Sequence, residues 1–105
     1  MLESVKLWER KNEDYRRNRS TYLAEIKRIA EAHGGKAYLF GSEAKGEAIA
    51  ASDVDILVEI PDQEDRLMVL LELRKSIRNT KFEFHILNET DAAIFKRLIK
   101  YYVEI

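Results

Sequence analysis

The chain contains no cysteine, one proline and only four glycines among its 105 residues. Without cysteine there is neither a disulfide framework nor a zinc–thiolate site. With so few breaker residues, long stretches must be regular structure. An excess of one charge is missing too, since 18 Lys and Arg stand against 19 Asp and Glu, for a net charge of −1. That balance removes the basic surplus a general nucleic-acid binder relies on, so nucleic acid is not expected as the primary partner. No apolar run approaches the roughly 20 residues of a membrane span, and the start, Met1 to Lys11, is too charged for a secretory signal. These absences leave a cytoplasmic protein as the expectation. A chain of this length builds one core and not two, so residues 1–105 are expected to form a single domain.

What is present is ordered. Residues 1–33 lack Gly and Pro, and Trp8, Tyr15, Tyr22 and Ile29 recur every seven residues with Val5 and Ile26 beside them. This is one apolar face of a helix, a packing surface available to the core, a second copy or a partner. Asn18 to Thr21 can interrupt it, because Ser20 or Thr21 could cap a second segment. Gly34-Gly35 ends it. Lys36 to Phe40 reads as a buried strand, and the residues after Gly41 suit a short helix up to Gly46. Asp53 to Ile60 is the clearest strand, with Val54, Ile56, Val58 and Ile60 on one face and Asp53, Asp55, Leu57 and Glu59 on the other. After Pro61, a helix is expected to open at Asp62 or Gln63 and run to about Ile77, its apolar residues Leu67, Leu70, Leu71 and Leu73. Lys81 to Leu87 alternates as another strand. Asn88 to Asp91 caps a last helix carrying Ile94, Phe95, Leu98, Ile99 and Val103. Strands alternating with helices indicate a sheet covered by helices.

Two short motifs carry chemistry. Gly41-Ser42 lies between a strand and a short helix, where free backbone N–H groups attract anions and glycine allows close approach. An ordinary turn with a helix cap is the alternative reading of the same residues. Asp53 and Asp55 are two apart on a strand, so both carboxylates share a face with Cα atoms about 6.6 Å apart. Aspartate is disfavoured in strands, and two on one face repel unless a cation lies between them. The alternative is that Ser52 and Asp53 end a turn and Asp55 faces solvent at an edge.

Together, Leu39-Phe-Gly-Ser-Glu-Ala-Lys-Gly46 and Ser52-Asp-Val-Asp-Ile-Leu-Val58, with ten residues between Ser42 and Asp53, resemble the signature of the DNA polymerase β-like nucleotidyltransferase superfamily. The chain is most similar to its small stand-alone members, the minimal nucleotidyltransferases. The resemblance implies an α/β (α+β) domain of the polymerase β-like nucleotidyltransferase fold. It would have a small mixed sheet of three strands, or four, covered by helices, with an extended N-terminal helical segment over 1–33 and a catalytic core over 36–105. It also implies transfer of a nucleotide monophosphate, AMP from ATP, to a hydroxyl of a partner macromolecule. In that scheme Gly41 and Ser42 bind the phosphates, Lys45 adds a point charge beside them, and Asp53 and Asp55 hold two Mg²⁺ ions. A third carboxylate is expected on the next strand as base or metal ligand, and Glu83 takes that place. His85, on the same face, could touch metal or phosphate, or be structural.

Two departures stand out: glutamate at 83 where relatives usually have aspartate, and Glu43 where they often carry a basic residue. They motivate the alternative of a non-catalytic nucleotide-binding or regulatory subunit on the same fold. A small-molecule-modifying transferase is a further option, less favoured because such enzymes usually add a domain to grip the acceptor. The partner implied by resemblance is a HEPN-type toxin, with this protein as antitoxin. The aromatic helix stripe also allows a homodimer.

Overall fold

The computed structural model describes residues 2–105. In chain order the elements are α1 (Glu3–Ala32), β1 (Lys36–Phe40), α2 (Gly41–Lys45), β2 (Val54–Ile60), α3 (Arg66–Ser76), β3 (Phe82–Asn88), α4 (Glu89–Ile99) and β4 (Tyr102–Glu104). The strands form one mixed sheet in the order β3-β2-β1-β4. β2 runs parallel to β3, and β1 is antiparallel to both β2 and β4.

The larger core lies between the sheet and helices α1 and α3. Val54, Ile56, Val58 and Ile60 of β2 meet Ile26, Ile29 and Ala30 of α1 and Val69 and Leu73 of α3 there. On the other face Tyr38, Phe40 and Leu57 pack against Leu87, Phe95 and Ile99. Both faces of β2 are therefore covered, and Leu57 is fully buried although it alternates with Asp55 and Glu59. Glu59 stays on that covered face by accepting a hydrogen bond from Lys96 Nζ of α4 at 2.7 Å.

α1 is bent where the sequence allowed an interruption. Asn18 leaves the helical region at φ −114°, ψ 17°. Its side-chain amide donates to the Asp14 carbonyl at 3.2 Å and to Asp14 Oδ1 at 2.9 Å, competing with the helix ladder. Asp14 also accepts from the Tyr22 hydroxyl and from Asn79 Nδ2. The Tyr22 hydrogen bond, ahead of those from Asn79 and Asn18, holds the Asp14 carboxyl below its usual range. The bend is thus fixed by a polar hub that joins α1 to the segment entering β3. Within the heptad stripe, Tyr15 and Ile29 are buried and Tyr22 is partly so, whereas Trp8 is 47% exposed on the outer half of the helix.

Three expectations need correction. α3 opens at Arg66, later than Asp62 or Gln63, because Asp65 caps it by accepting from the Leu67 and Met68 amides. Its buried stripe is Val69, Leu73 and the following Ile77, while Leu67, Met68 and Leu71 face outward. The last helix stops at Ile99: Lys100 takes φ 66°, and Val103 lies in a fourth strand paired with Leu39, not in a helix.

His33, just past α1, ties that helix end to α3. Its Nδ1 lies 2.7 Å from Glu64 and its Nε2 2.7 Å from Glu72. The hydrogen bonds to Glu72 and then Glu64 raise its pKa above the usual histidine value. A raised folded-state pKa contributes stability that is complete below the unfolded value near 6.5 and is lost as pH rises through the folded one. His33→Gln should therefore destabilise by up to about 1 kcal/mol at pH 5.5 and by less at pH 9. Urea unfolding at both values checks this, and equal costs would contradict it.

Candidate active site

Because β1 is antiparallel to β2 and β2 parallel to β3, one end of the sheet collects the end of β1 and the starts of β2 and β3. The register places Asp55 between Phe40 of β1 and Glu83 of β3. Cross-strand neighbours share a face, about 4.8 Å apart along the hydrogen-bonding direction. Asp55 and Glu83 are therefore side by side, on the face that α4 covers further along the strands. Asp53 precedes the first paired residue of β2 and is exposed, as is Glu83, while Asp55 is half-buried.

The Gly41-Ser42 turn closes on this strand end from β1. Gly41 has φ +74°, a left-handed conformation that side-chain-bearing residues seldom adopt. A Cβ there would lie 2.5 Å from Asp55 Oδ2, so the absent side chain keeps the turn against the carboxylate. Burial pushes the Asp55 carboxyl above its usual range; His85 opposes this, and the lesser effect of the Asp53 charge adds to it. A half-buried carboxylate with a like-charged neighbour is a condition that a divalent cation would relieve. Carboxylate oxygens are the donors a hard ion such as Mg²⁺ takes. The residues present thus fit such an ion at Asp53 and Asp55. Among the described residues, however, no three Asp, Glu or His side chains converge tightly enough to enclose a metal. Glu83 adjoins the pair in register without closing on it.

Glu43 is engaged by α1. Its Oε1 accepts from the Tyr15 hydroxyl at 2.9 Å and from Arg19 Nε at 3.4 Å. Burial, followed by the hydrogen bond to Glu43, pushes the Tyr15 phenol up to about 12. The Glu43 charge is thus paired with α1 at the flank of the Gly41-Ser42 turn. Lys45 is exposed in the last turn of α2.

Two contributors to the site went unread in the sequence. Lys81 is buried, and its ammonium donates to the carbonyls of Ala50 at 2.9 Å and Ser52 at 2.6 Å. It pins the loop that delivers Asp53 to the start of β3, and burial lowers its pKa. Nothing in the spacing marks a lysine that acts on carbonyls some thirty residues away. Tyr15 appears only as an apolar stripe residue, and the use of its hydroxyl is set by the fold.

A mixed sheet whose end sets a glycine-serine turn against a strand-borne aspartate is the frame of a nucleotide-handling fold. The chain belongs to the family described as polymerase beta, nucleotidyltransferase, whose profile matches residues 24–105. A crystal structure of a candidate nucleotidyltransferase superimposes with a TM-score of 0.63 at 29% identity, over 78% of this chain and 95% of that one. A second, from Sulfolobus solfataricus, does so with a TM-score of 0.53 at 21% identity, over 99% and 86%, and shows the shared fold. No curated protein matches this chain significantly. The general role of the family is nucleotidyl transfer. No helix among the described residues is long and apolar enough to cross a membrane.

Gly41→Ala should cost about 1–3 kcal/mol by urea unfolding, from strain and from the approach to Asp55. The same substitution on an Asp55→Ala background should cost measurably less. Identical costs on both backgrounds would show that the two residues do not meet.

Proposed function

We propose that the protein transfers a nucleotide monophosphate, AMP from ATP, to a hydroxyl of a partner macromolecule. The observation that carries this reading is the seating of Asp55 between the Gly41 turn and Glu83 at one end of the sheet. Phosphates would lie on the Gly41-Ser42 turn, with Lys45 adding positive charge at its edge. Asp53 and Asp55 would hold two Mg²⁺ ions, which supply neutralisation of the phosphate charge and activation of the attacking oxygen. Glu83, beside Asp55 in register, is proposed as the third carboxylate. As the acceptor oxygen bonds to the α-phosphorus, Glu83 takes the hydroxyl proton, the bond to the leaving oxygen breaks, and pyrophosphate departs.

The resemblance to minimal nucleotidyltransferases supports a finer reading, in which the acceptor is a HEPN-type toxin and this chain its antitoxin. A homodimer through the outer half of α1 would be compatible with either acceptor. A second reading, a non-catalytic nucleotide-binding subunit, is favoured by one observation: Glu83 stands outside any closed group of three ligands.

The test is label transfer from ATP to the co-expressed partner in the presence of Mg²⁺. Asp53→Asn and Asp55→Asn should each reduce transfer at least ~1,000-fold, as loss of a charge-neutralising centre does. Glu83→Gln should lower the rate by about 100-fold or more while nucleotide binding persists. Partner binding without transfer from any nucleotide would establish the non-catalytic reading instead.

A further inference from the structure

His85 lies on β3 two residues beyond Glu83, on the same face, and pairs in register with Leu57. Its ring is held on two sides. Phe40 contacts it edge-on with centroids 5.1 Å apart, and Phe95 of α4 stacks on it at 5.6 Å with planes 29° apart. Two aromatic neighbours from different elements leave the ring plane little freedom. Nε2 is closed off from solvent and has no hydrogen-bond partner. A buried polar nitrogen left unpaired is destabilising, so an unpaired one calls for a reason.

Nε2 faces Asp55 Oδ1 at 3.7 Å. That gap is too long for a hydrogen bond and short enough for a small side-chain rotation to make one. The two oxygens of Asp55 thus have different neighbours: Oδ1 faces the imidazole, and Oδ2 lies in the space that a Gly41 side chain would fill.

We infer that His85 is a positioning residue whose Nε2–H takes Asp55 Oδ1 and so presents Oδ2, alone, to the Gly41-Ser42 turn. The inference rests on the proposed metal-dependent transfer and adds a group that sets the orientation of its central carboxylate. A carboxylate with one oxygen committed to an N–H donor offers a single oxygen in a fixed direction. Partners of this kind, one step removed from the ion, typically change metal affinity 10–100-fold. The Phe40 and Phe95 rings make the arrangement rigid, since they hold the donor while the carboxylate adjusts.

The test uses Mn²⁺ as probe on the full chain. Free Mn²⁺ is titrated by electron paramagnetic resonance, and nitrogen coupling to the bound ion is read by pulsed measurement. His85→Phe keeps the ring packing without a donor, and His85→Gln restores an N–H near the same place. His85→Leu replaces the Phe variant if that one does not fold. The expected result is Mn²⁺ binding by the wild type with no directly bonded nitrogen, a roughly 10–100-fold loss in His85→Phe, and substantial recovery in His85→Gln. A nitrogen coupling that vanishes in His85→Phe would make His85 a ligand and overturn the inference. Equal affinities across the variants, or loss without recovery in Gln, would overturn it as well. Asp55→Asn separates the two levels: if it binds Mn²⁺ as tightly as the wild type, or if the wild type does not bind, the metal site itself fails and the inference falls with it.

Discussion

The placement of β2 between an antiparallel and a parallel neighbour governs everything at the candidate site. The antiparallel pairing brings the end of β1, and with it the Gly41 turn, to the start of β2. The parallel pairing brings the start of β3 to the same end, so that Asp55 and Glu83 lie level. A slip of one residue would carry Asp55 to the opposite face, where Val54 and Ile56 are packed against α1 and α3. The register is held by burial on both faces, since Val54, Ile56, Leu57 and Val58 are all fully enclosed. A carboxylate at the end of so buried a strand is costly on its own, and the raised pKa of Asp55 records that cost.

The surroundings divide into supports for this carboxylate and supports for the turn. Lys81 fastens the loop before Asp53 by two carbonyl contacts, and His85 stands on the Oδ1 side of Asp55. On the other flank, Tyr15 and Arg19 of α1 engage Glu43 of α2. The family profile begins at residue 24, inside α1, so the Tyr15 and Arg19 contacts come from the part of the helix that precedes it. This outer half of α1 is thereby joined to the Gly41-Ser42 turn through one glutamate, and its own course is fixed by the Asn18 bend and the Asp14 hub.

The sequence was informative where local patterns and structure coincide. A short buried run marked β1 at the observed bounds, Lys36 to Phe40, and alternation placed the β2 residues on their correct faces. The glycine pair ended α1, and Asn88 caps α4 through the Asp91 amide. Alternation does not announce that the face of Asp55 and Glu59 is also covered: α4 returns over it and buries Leu57. α3 carries apolar residues around its whole circumference, so its period could not tell Leu67 and Leu71 from Val69 and Leu73. β4 was hidden because a lysine, not a glycine, makes the left-handed turn at Lys100, and because three residues gain strand character only by pairing with β1. At the site, the Gly-Ser and Asp-X-Asp motifs and the face of Glu83 were legible. The work of Lys81 and of the Tyr15 hydroxyl was not, since they act on residues 28 to 31 positions away.

The Gly41 turn and the start of β2 are proposed to form one site for a nucleoside triphosphate and its divalent ions. A crystal structure with Mn²⁺ and a non-hydrolysable ATP analogue tests this directly, because anomalous scattering locates the metal independently of the protein. Metal peaks are expected against Asp53 and Asp55, with phosphate oxygens on the amides of Gly41 and Ser42. Metal or triphosphate bound elsewhere on the domain, with Asp55 Oδ2 still facing an empty turn, would contradict it.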